Sequence, residues 1–196
     1  MKTIAWDIDD VLNDLMRVWF EEFWKPSHPD CKLSYQDLKE NMPHELLNVK
    51  QEEYLASLDD FRFSGRYAKL EPNSDIKDWF IAHGHKCRHF ALTRVPVAVA
   101  HVSAGWLMKN FGNWIRSFHF IPSYRAGENP AMYDENKGAY LHYFGKADLL
   151  IDDTLENIEA AEKAGVRSLV YPRPWNRSKM TIDQLLDETL KIIEGK

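Results

Sequence analysis

The chain opens on a short apolar run, Thr3-Ile4-Ala5-Trp6, with no Gly or Pro inside it. Such a run predicts a buried strand. Leu12, Leu15, Met16, Trp19, Phe20 and Phe23 then recur at helical spacing, which predicts a helix over 11–24 broken by Pro26-Ser27-His28-Pro29-Asp30. From 33 to 58 the apolar pattern is short and helical, over 34–39, 43–47 and 51–58, and Ser34 with Asp37 has the spacing of a capping box. No strand signal occurs there, so 14–66 reads as a small helical insertion.

After Gly65 strand and helix patterns alternate. Pro72-Asn73-Ser74-Asp75 starts a helix over 76–83 that stops at Gly84. A strand over 86–93, a helix over 97–111 and a strand over 117–122 follow. A polar loop over 124–135 leads to a short helix over 137–143. Then come a strand over 148–151, a helix over 154–164, a strand over 167–171 and a last helix over 181–193. This alternation implies an α/β fold, a doubly wound parallel sheet of Rossmann-like type. The core would comprise 1–13 and 67–196, with 14–66 inserted after the first strand.

Composition narrows the classes. A length of 196 residues fits one domain with an insertion, and 44% hydrophobic residues suffice for a sizeable core. The net charge of −5, with no Lys/Arg block, argues against binding to nucleic-acid polymers. Cys31 and Cys87 are too few for a disulfide framework or a zinc site. No signal peptide and no apolar stretch long enough for a bilayer is apparent, so the expectation is a cytoplasmic protein without membrane contact. Oligomeric state stays open.

The candidate chemistry lies at strand ends. Asp7, Asp9 and Asp10 follow the first strand, where ligands bind in open α/β sheets. Two apart, Asp7 and Asp9 would share a face of an extended strand. Such carboxylates suit a hard cation, above all Mg2+, or a nucleophile beside a proton-handling partner. An acidic N-cap for the following helix is an equally good reading of the trio alone. Thr93 closes the second strand, where its hydroxyl could donate to a phosphate or cap a helix. Lys137 opens a short helix; alone it reads as a solvated lysine. Asp152-Asp153 end the fourth strand, a costly burial unless a cation neutralises them.

Taken together, Asp7-Ile8-Asp9-Asp10-Val11, Thr93, Lys137 and Asp152-Asp153 resemble, in order and approximate spacing, the four motifs of the haloacid dehalogenase (HAD) superfamily of phosphohydrolases. The insertion 14–66 stands where that family carries a small helical cap. DIDDVLND at 7–14, ADLLIDD at 147–153 and Pro174-Trp175-Asn176-Arg177 are similar to the 5′(3′)-deoxyribonucleotidase branch. The sequence departs from that branch at Asp10, Leu15 and Arg94, where a Gly, an aromatic residue and a Ser are usual. Lys146 is a rival to Lys137 for the third motif.

The resemblance implies a Mg2+-dependent hydrolase of phosphomonoesters. Asp7 would be the nucleophile and form an aspartyl-phosphate, with Asp9 as acid and then base. Mg2+ would be held by Asp7, the Asp9 carbonyl and Asp152, with Asp153 behind them. Thr93, Arg94 and Lys137 would bind the substrate, expected to be small and phosphorylated, nucleoside monophosphates first. Another phosphorylated metabolite is the alternative, since Arg94 and Arg66 could favour a second anionic group. A different reaction on the same scaffold, phosphotransfer or dehalogenation, stays open; Asp9 argues against the second, because a halide leaving group needs no general acid. A non-catalytic binding protein on the same scaffold is a weaker alternative, because all four motifs are intact. Of the insertion's aromatics, Trp19, Phe20, Phe23, Trp24, Tyr35 and Tyr54, most would form its core and one or two could stack on a base.

Overall fold

A computed structural model describes residues 1–195. Five strands form one parallel sheet: β1 (Thr3–Trp6), β2 (Arg88–Val95), β3 (Ile115–Pro122), β4 (Leu149–Asp152) and β5 (Arg167–Val170). Their order is β3-β2-β1-β4-β5. The chain builds outward from β1 to β3, returns to the other side of β1, and continues outward through β4 and β5. The order therefore reverses between β1 and β4, the place where doubly wound sheets leave a crevice.

Alternate strand residues serve two cores, as the two-residue repeat of a pleated strand requires. Ile4, Trp6, Leu149 and Ile151 join the larger one with Ile76 and Phe80 of α4 (Ser74–His83), Trp106 and Leu107 of α5 (Val97–Phe111) and Leu185 of α8 (Ile182–Glu194). Ala5 and Leu150 face the smaller one with Leu141 of α6 (Lys137–Phe144) and Ala161 of α7 (Leu155–Lys163). Helices thus cover both faces, as the alternating pattern led one to expect. Gly138 lets α6 and α7 meet: a Cβ there would stand inside van der Waals contact with the Ala160 carbonyl.

The inserted segment is helical, with different boundaries from those read in the sequence. α1 (Leu15–Trp19) continues through a π-helical turn (Phe20–Trp24) into α2 (Lys25–Ser27). The helix starts four residues late because Asp10 adopts φ 62° and Asn13 Oδ1 accepts from the Leu15 N–H at 3.0 Å. Pro26 lies inside this continuing helix and gives no N–H to the Glu22 carbonyl, which accepts from Arg66 Nη1 at 2.9 Å instead, so the break comes after Ser27 rather than at the proline. The Ser34–Asp37 capping box closes only a 3₁₀ turn (Tyr35–Asp37), and 43–47 forms turns rather than a helix. α3 (Gln51–Phe63) runs five residues past its expected end. The two ends of the segment are joined by a bridge between Asn13 and Pro72 and by the Asn73 N–H donating to Leu12 O at 2.9 Å. Among the described residues no helix is long and apolar enough to cross a membrane.

Candidate active site

Asp7 stands one residue beyond β1, its N–H donating to Ile151 O of β4 at 3.0 Å. There the strand ends. The Ile8 carbonyl accepts from the Leu12 N–H at 2.9 Å, and the Asn13 side chain accepts from the Asp10 N–H at 3.3 Å. Asp, with its short polar side chain, tolerates the left-handed conformation this turn demands. The acidic cluster therefore sits on a turn. It occupies neither a strand face nor the first turn of a helix, which corrects the strand reading; of the capping reading the bond itself holds, the Met16 N–H in the first turn of α1 donating to Asp10 Oδ1 at 3.0 Å.

The turn separates Asp7 from Asp9. Asp7, Asp152 and Asp153 are buried, and each offers a carboxylate oxygen within 4.8 Å of the others'. Asp9 does not bring its carboxylate to this trio. Its Oδ1 accepts from the Tyr67 hydroxyl at 2.6 Å and from Asn13 Nδ2 at 3.2 Å, and its Oδ2 from Arg62 Nη2 at 2.9 Å. Asp10 is buried beside the same cleft but outside the trio: its carboxylate accepts from the Met16 N–H, and its carbonyl from Arg173 Nε at 2.6 Å.

Lys137, read in isolation as a solvated lysine, is only 1% exposed. It opens α6, where the Asn136 cap accepts from the Ala139 N–H at 3.0 Å. Its ammonium lies 2.9 Å from Asp7 Oδ1 and 2.6 Å from Asp152 Oδ2. Burial alone would lower its pKa, but Asp152 and Asp7 outweigh that and hold it above the ordinary value. Lys146 lies with Thr3, Arg88 and Asp148 at the amino ends of the strands, away from the carboxylates.

The other oxygens of Asp152 and Asp153 are also engaged. Asp152 Oδ1 accepts from the Thr154 N–H at 2.9 Å and from Asn157 Nδ2 at 3.0 Å. Asp153 accepts from Trp175 Nε1 at 2.8 Å, and Asn176 Nδ2 donates to the carbonyls of Asp153 and Tyr171, both at 2.7 Å. Trp175 and Asn176 of the Pro-Trp-Asn-Arg segment thus fix Asp153.

One ammonium among three carboxylates leaves an excess of buried negative charge. Burial first, then Asp152 and Asp153, push the Asp7 carboxyl well above its ordinary range, against the pull of Lys137. Burial, Asp152 and Asp10 push Asp153 to about 8. A compact set of hard oxygen donors with surplus negative charge fits a hard divalent cation such as Mg2+. Thiolate or imidazole ligands, which would point to zinc, are absent from the trio.

A cleft of about 830 Å³ opens over this cluster. Asp7, Asp9, Thr93, Arg94 and Arg125 line it from the sheet side, and Leu15, Met16, Tyr54, Leu58 and Arg62 from the helical segment. Thr93 is buried inside β2, which runs two residues past it to Val95. Arg94 is exposed and, among the described residues, has no ion-pair partner. Arg66 does not line the cleft; it donates to Glu22 O at 2.9 Å and lies over Phe23. Arg62, Tyr67, Asn157 and Arg173 escaped the sequence reading. Asn157 had a signal, an amide in the first turn of the helix after an acidic strand end. Arg62 and Tyr67 reach Asp9 from 53 and 58 residues away, which no local pattern encodes.

No family model and no curated protein matches the chain. Solved structures do. A HAD-hydrolase of Bacillus subtilis bound to magnesium superposes with a TM-score of 0.60 at 12% identity, covering 98% of each chain. A protein described as a phosphoglycolate phosphatase from Lactobacillus delbrueckii gives 0.60 at 14% identity, over 100% of this chain and 99% of that one. A subfamily IA HAD-superfamily hydrolase of Geobacter sulfurreducens gives 0.55 at 15% identity, over 98% and 96%. The likeness shows the fold: a Rossmann-like α/β sheet of the HAD type, spanning the whole length of these hydrolases.

Proposed function

We propose that this protein is a Mg2+-dependent phosphomonoester hydrolase acting through an aspartyl-phosphate on Asp7, with nucleoside monophosphates as its substrates. The observation that carries the reading is Lys137: a buried ammonium bridging Asp7 and Asp152, with Asp153 beside them, at the reversal point of a HAD-type sheet. The fold it shares with HAD hydrolases, one of them bound to magnesium, supports it further.

Each residue has a task that its surroundings suit. Asp7 Oδ1 is engaged by the Ile8 N–H at 2.8 Å and by Lys137, which leaves Oδ2 to attack phosphorus. Thr93 and Lys137 hold the non-bridging oxygens, and Lys137 is placed to offset charge as it moves from carboxylate to phosphoryl group. Asp9 protonates the leaving oxygen and then deprotonates the attacking water. Mg2+, held by Asp7, the Asp9 carbonyl and Asp152 with Asp153 behind them, would when bound supply Lewis-acid stabilisation of the transferring group. The helical segment 14–66 acts as a cap, in keeping with a cleft lined from both sides. The setting is cytoplasmic, consistent with Cys31 and Cys87 as free thiols.

A second substrate reading is favoured by one observation. Arg94 lines the cleft beside Thr93 and, among the described residues, has no ion-pair partner, as a subsite for a second anionic group would require. Phosphate release by wild type and Asp7→Asn, with and without chelator, tests the core proposal. Turnover should need both Mg2+ and Asp7, and full activity in Asp7→Asn or in excess chelator would overturn it.

A further inference from the structure

An alternating chain of charges runs from the sheet side of the cleft to Asp9. Arg125, in the loop after β3, donates from Nε and Nη2 to the two carboxylate oxygens of Asp59 on α3, at 2.6 and 3.0 Å. Asp59 Oδ1 also accepts from Arg62 Nη1 at 3.1 Å, one helical turn on. Arg62 Nη2 then donates to Asp9 at 2.9 Å. Arg62 is only 6% exposed, so its charge is held almost wholly by these two carboxylates.

Resting on the phosphatase reading above, we infer that Arg62 is the positioning residue for Asp9, and that the Asp59–Arg125 pair fixes Arg62 for that task. Both oxygens of the Asp9 carboxylate are engaged: Oδ2 by Arg62, Oδ1 by Tyr67 and Asn13. Asn13 belongs to the same turn and turns with it. Arg62 comes from α3 of the helical segment and Tyr67 from the turn that follows it, so both hold Asp9 from outside its own turn. A planar guanidinium orients a carboxylate more tightly than a point charge can. The bidentate Asp59–Arg125 pair removes the freedom Arg62 would otherwise have. Proton transfer depends on placing the acid within hydrogen-bond reach of the leaving oxygen, so a loosened Asp9 loses its effect even when it remains present.

Single-turnover rates with nitrophenyl phosphate and with an alkyl phosphate separate this role from a structural one. An activated leaving group departs with little help from an acid, whereas an alkoxide needs it. Arg62→Met should cost the alkyl substrate about tenfold or more beyond its cost to nitrophenyl phosphate. Arg62→Lys should recover part of that gap, and Arg125→Met should reproduce a smaller version of it. In an Asp9→Asn background, Arg62→Met should open no further gap between the substrates, because the group it orients is gone. Equal losses on both substrates, or the same gap with and without Asp9, would overturn the assignment while leaving the phosphatase reading intact. If Asp7→Asn retains full activity, that reading falls and the role of Arg62 falls with it. A soluble Arg62→Met with wild-type rates on both substrates would overturn the positioning role alone.

Discussion

Trp175 donates its indole N–H to the carboxylate of Asp153 at 2.8 Å, across 22 residues of sequence. Asp153 is buried beside Asp152 and Asp7, so this bond selects which oxygen faces the other two acids. Partners of this kind commonly change metal affinity by about 10–100-fold. Trp175→Phe keeps most of the ring volume and deletes the donor. Activity should then require about tenfold more Mg2+, with little change in the rate at saturating metal. A Mg2+ titration of phosphatase activity reads this directly, and an unchanged half-saturation point would assign Trp175 to packing alone.

The acidic cluster gives metal-free stability a pH dependence of definite sign. Burial raises Asp153 from 3.8 to about 8 and Asp10 from 3.8 to about 7. A carboxyl whose folded pKa exceeds its unfolded value binds its proton more tightly when folded. Its contribution is therefore fully present below about pH 4 and is lost as pH rises through about 8. In chelator, the thermal midpoint should fall between about pH 6.5 and about pH 8.5. Mg2+ should raise it more at the higher pH, because the cation replaces the missing protons. Asp153→Asn should flatten the chelator curve.

His89 has a window on the acid side. Its Nδ1 accepts from Trp6 Nε1 at 3.0 Å, so its proton sits on Nε2, 2.8 Å from the Gly84 carbonyl. Burial lowers its pKa from 6.5 to about 4. The unfolded chain takes up this proton first, so stability present above pH 6.5 is lost as pH falls towards 4. The loss should be on the order of 2 kcal/mol by about pH 4.5. Gln can accept from Trp6 and donate to Gly84 without titrating. Urea unfolding of His89→Gln should therefore show a shallower decline over this range than wild type, and parallel curves would exclude His89 as the cause.

Much of this arrangement was legible because it is local. The apolar runs around Ile4, Leu92 and Leu150 have the length and composition of buried strands, and the helices over 97–111 and 181–193 carry clear periodicity and stop signals. The acids lie at the carboxyl ends of such strands, where chemistry collects. Lys137 was legible only through its motif, since nothing adjacent announces that a lysine will be buried against two carboxylates. The late start of α1 was hidden because Asp10, an ordinary helix-turn residue by sequence, takes a left-handed conformation under the grip of Arg173 on its carbonyl. Arg62, Tyr67 and Arg173 reach the first loop from 53, 58 and 163 residues away, and tertiary contacts of that kind leave no periodic trace.

The substrate prediction turns on the wall of the cleft. Of the aromatics in the helical segment, Trp19, Phe20, Trp24, Tyr35 and Tyr54 are all buried, and of these five only Tyr54 borders the cleft. Tyr54 is itself pinned, with its ring edge-on to Trp19 and its hydroxyl donating to Met16 Sδ at 3.5 Å. Leu15, Met16 and Leu58 complete an apolar wall beside it, with Asn41 and Gln51 as amides nearby. A base could lie against that wall with its edge on the amides, held by apolar contact rather than by stacking, because the Tyr54 ring is buried in the core. Arg94 works in the opposite sense, offering an anionic substrate a second contact that a nucleoside does not use. The two features predict opposite outcomes of a double comparison. If the apolar wall selects the substrate, kcat/KM for deoxynucleoside monophosphates should exceed that for simple sugar phosphates. If Arg94 selects it, Arg94→Ala should instead depress turnover of substrates bearing a carboxylate or second phosphate. A nucleotide-to-sugar ratio at or below one, with turnover of doubly anionic substrates depressed in Arg94→Ala, would remove the nucleotidase reading and leave a phosphatase for doubly anionic metabolites.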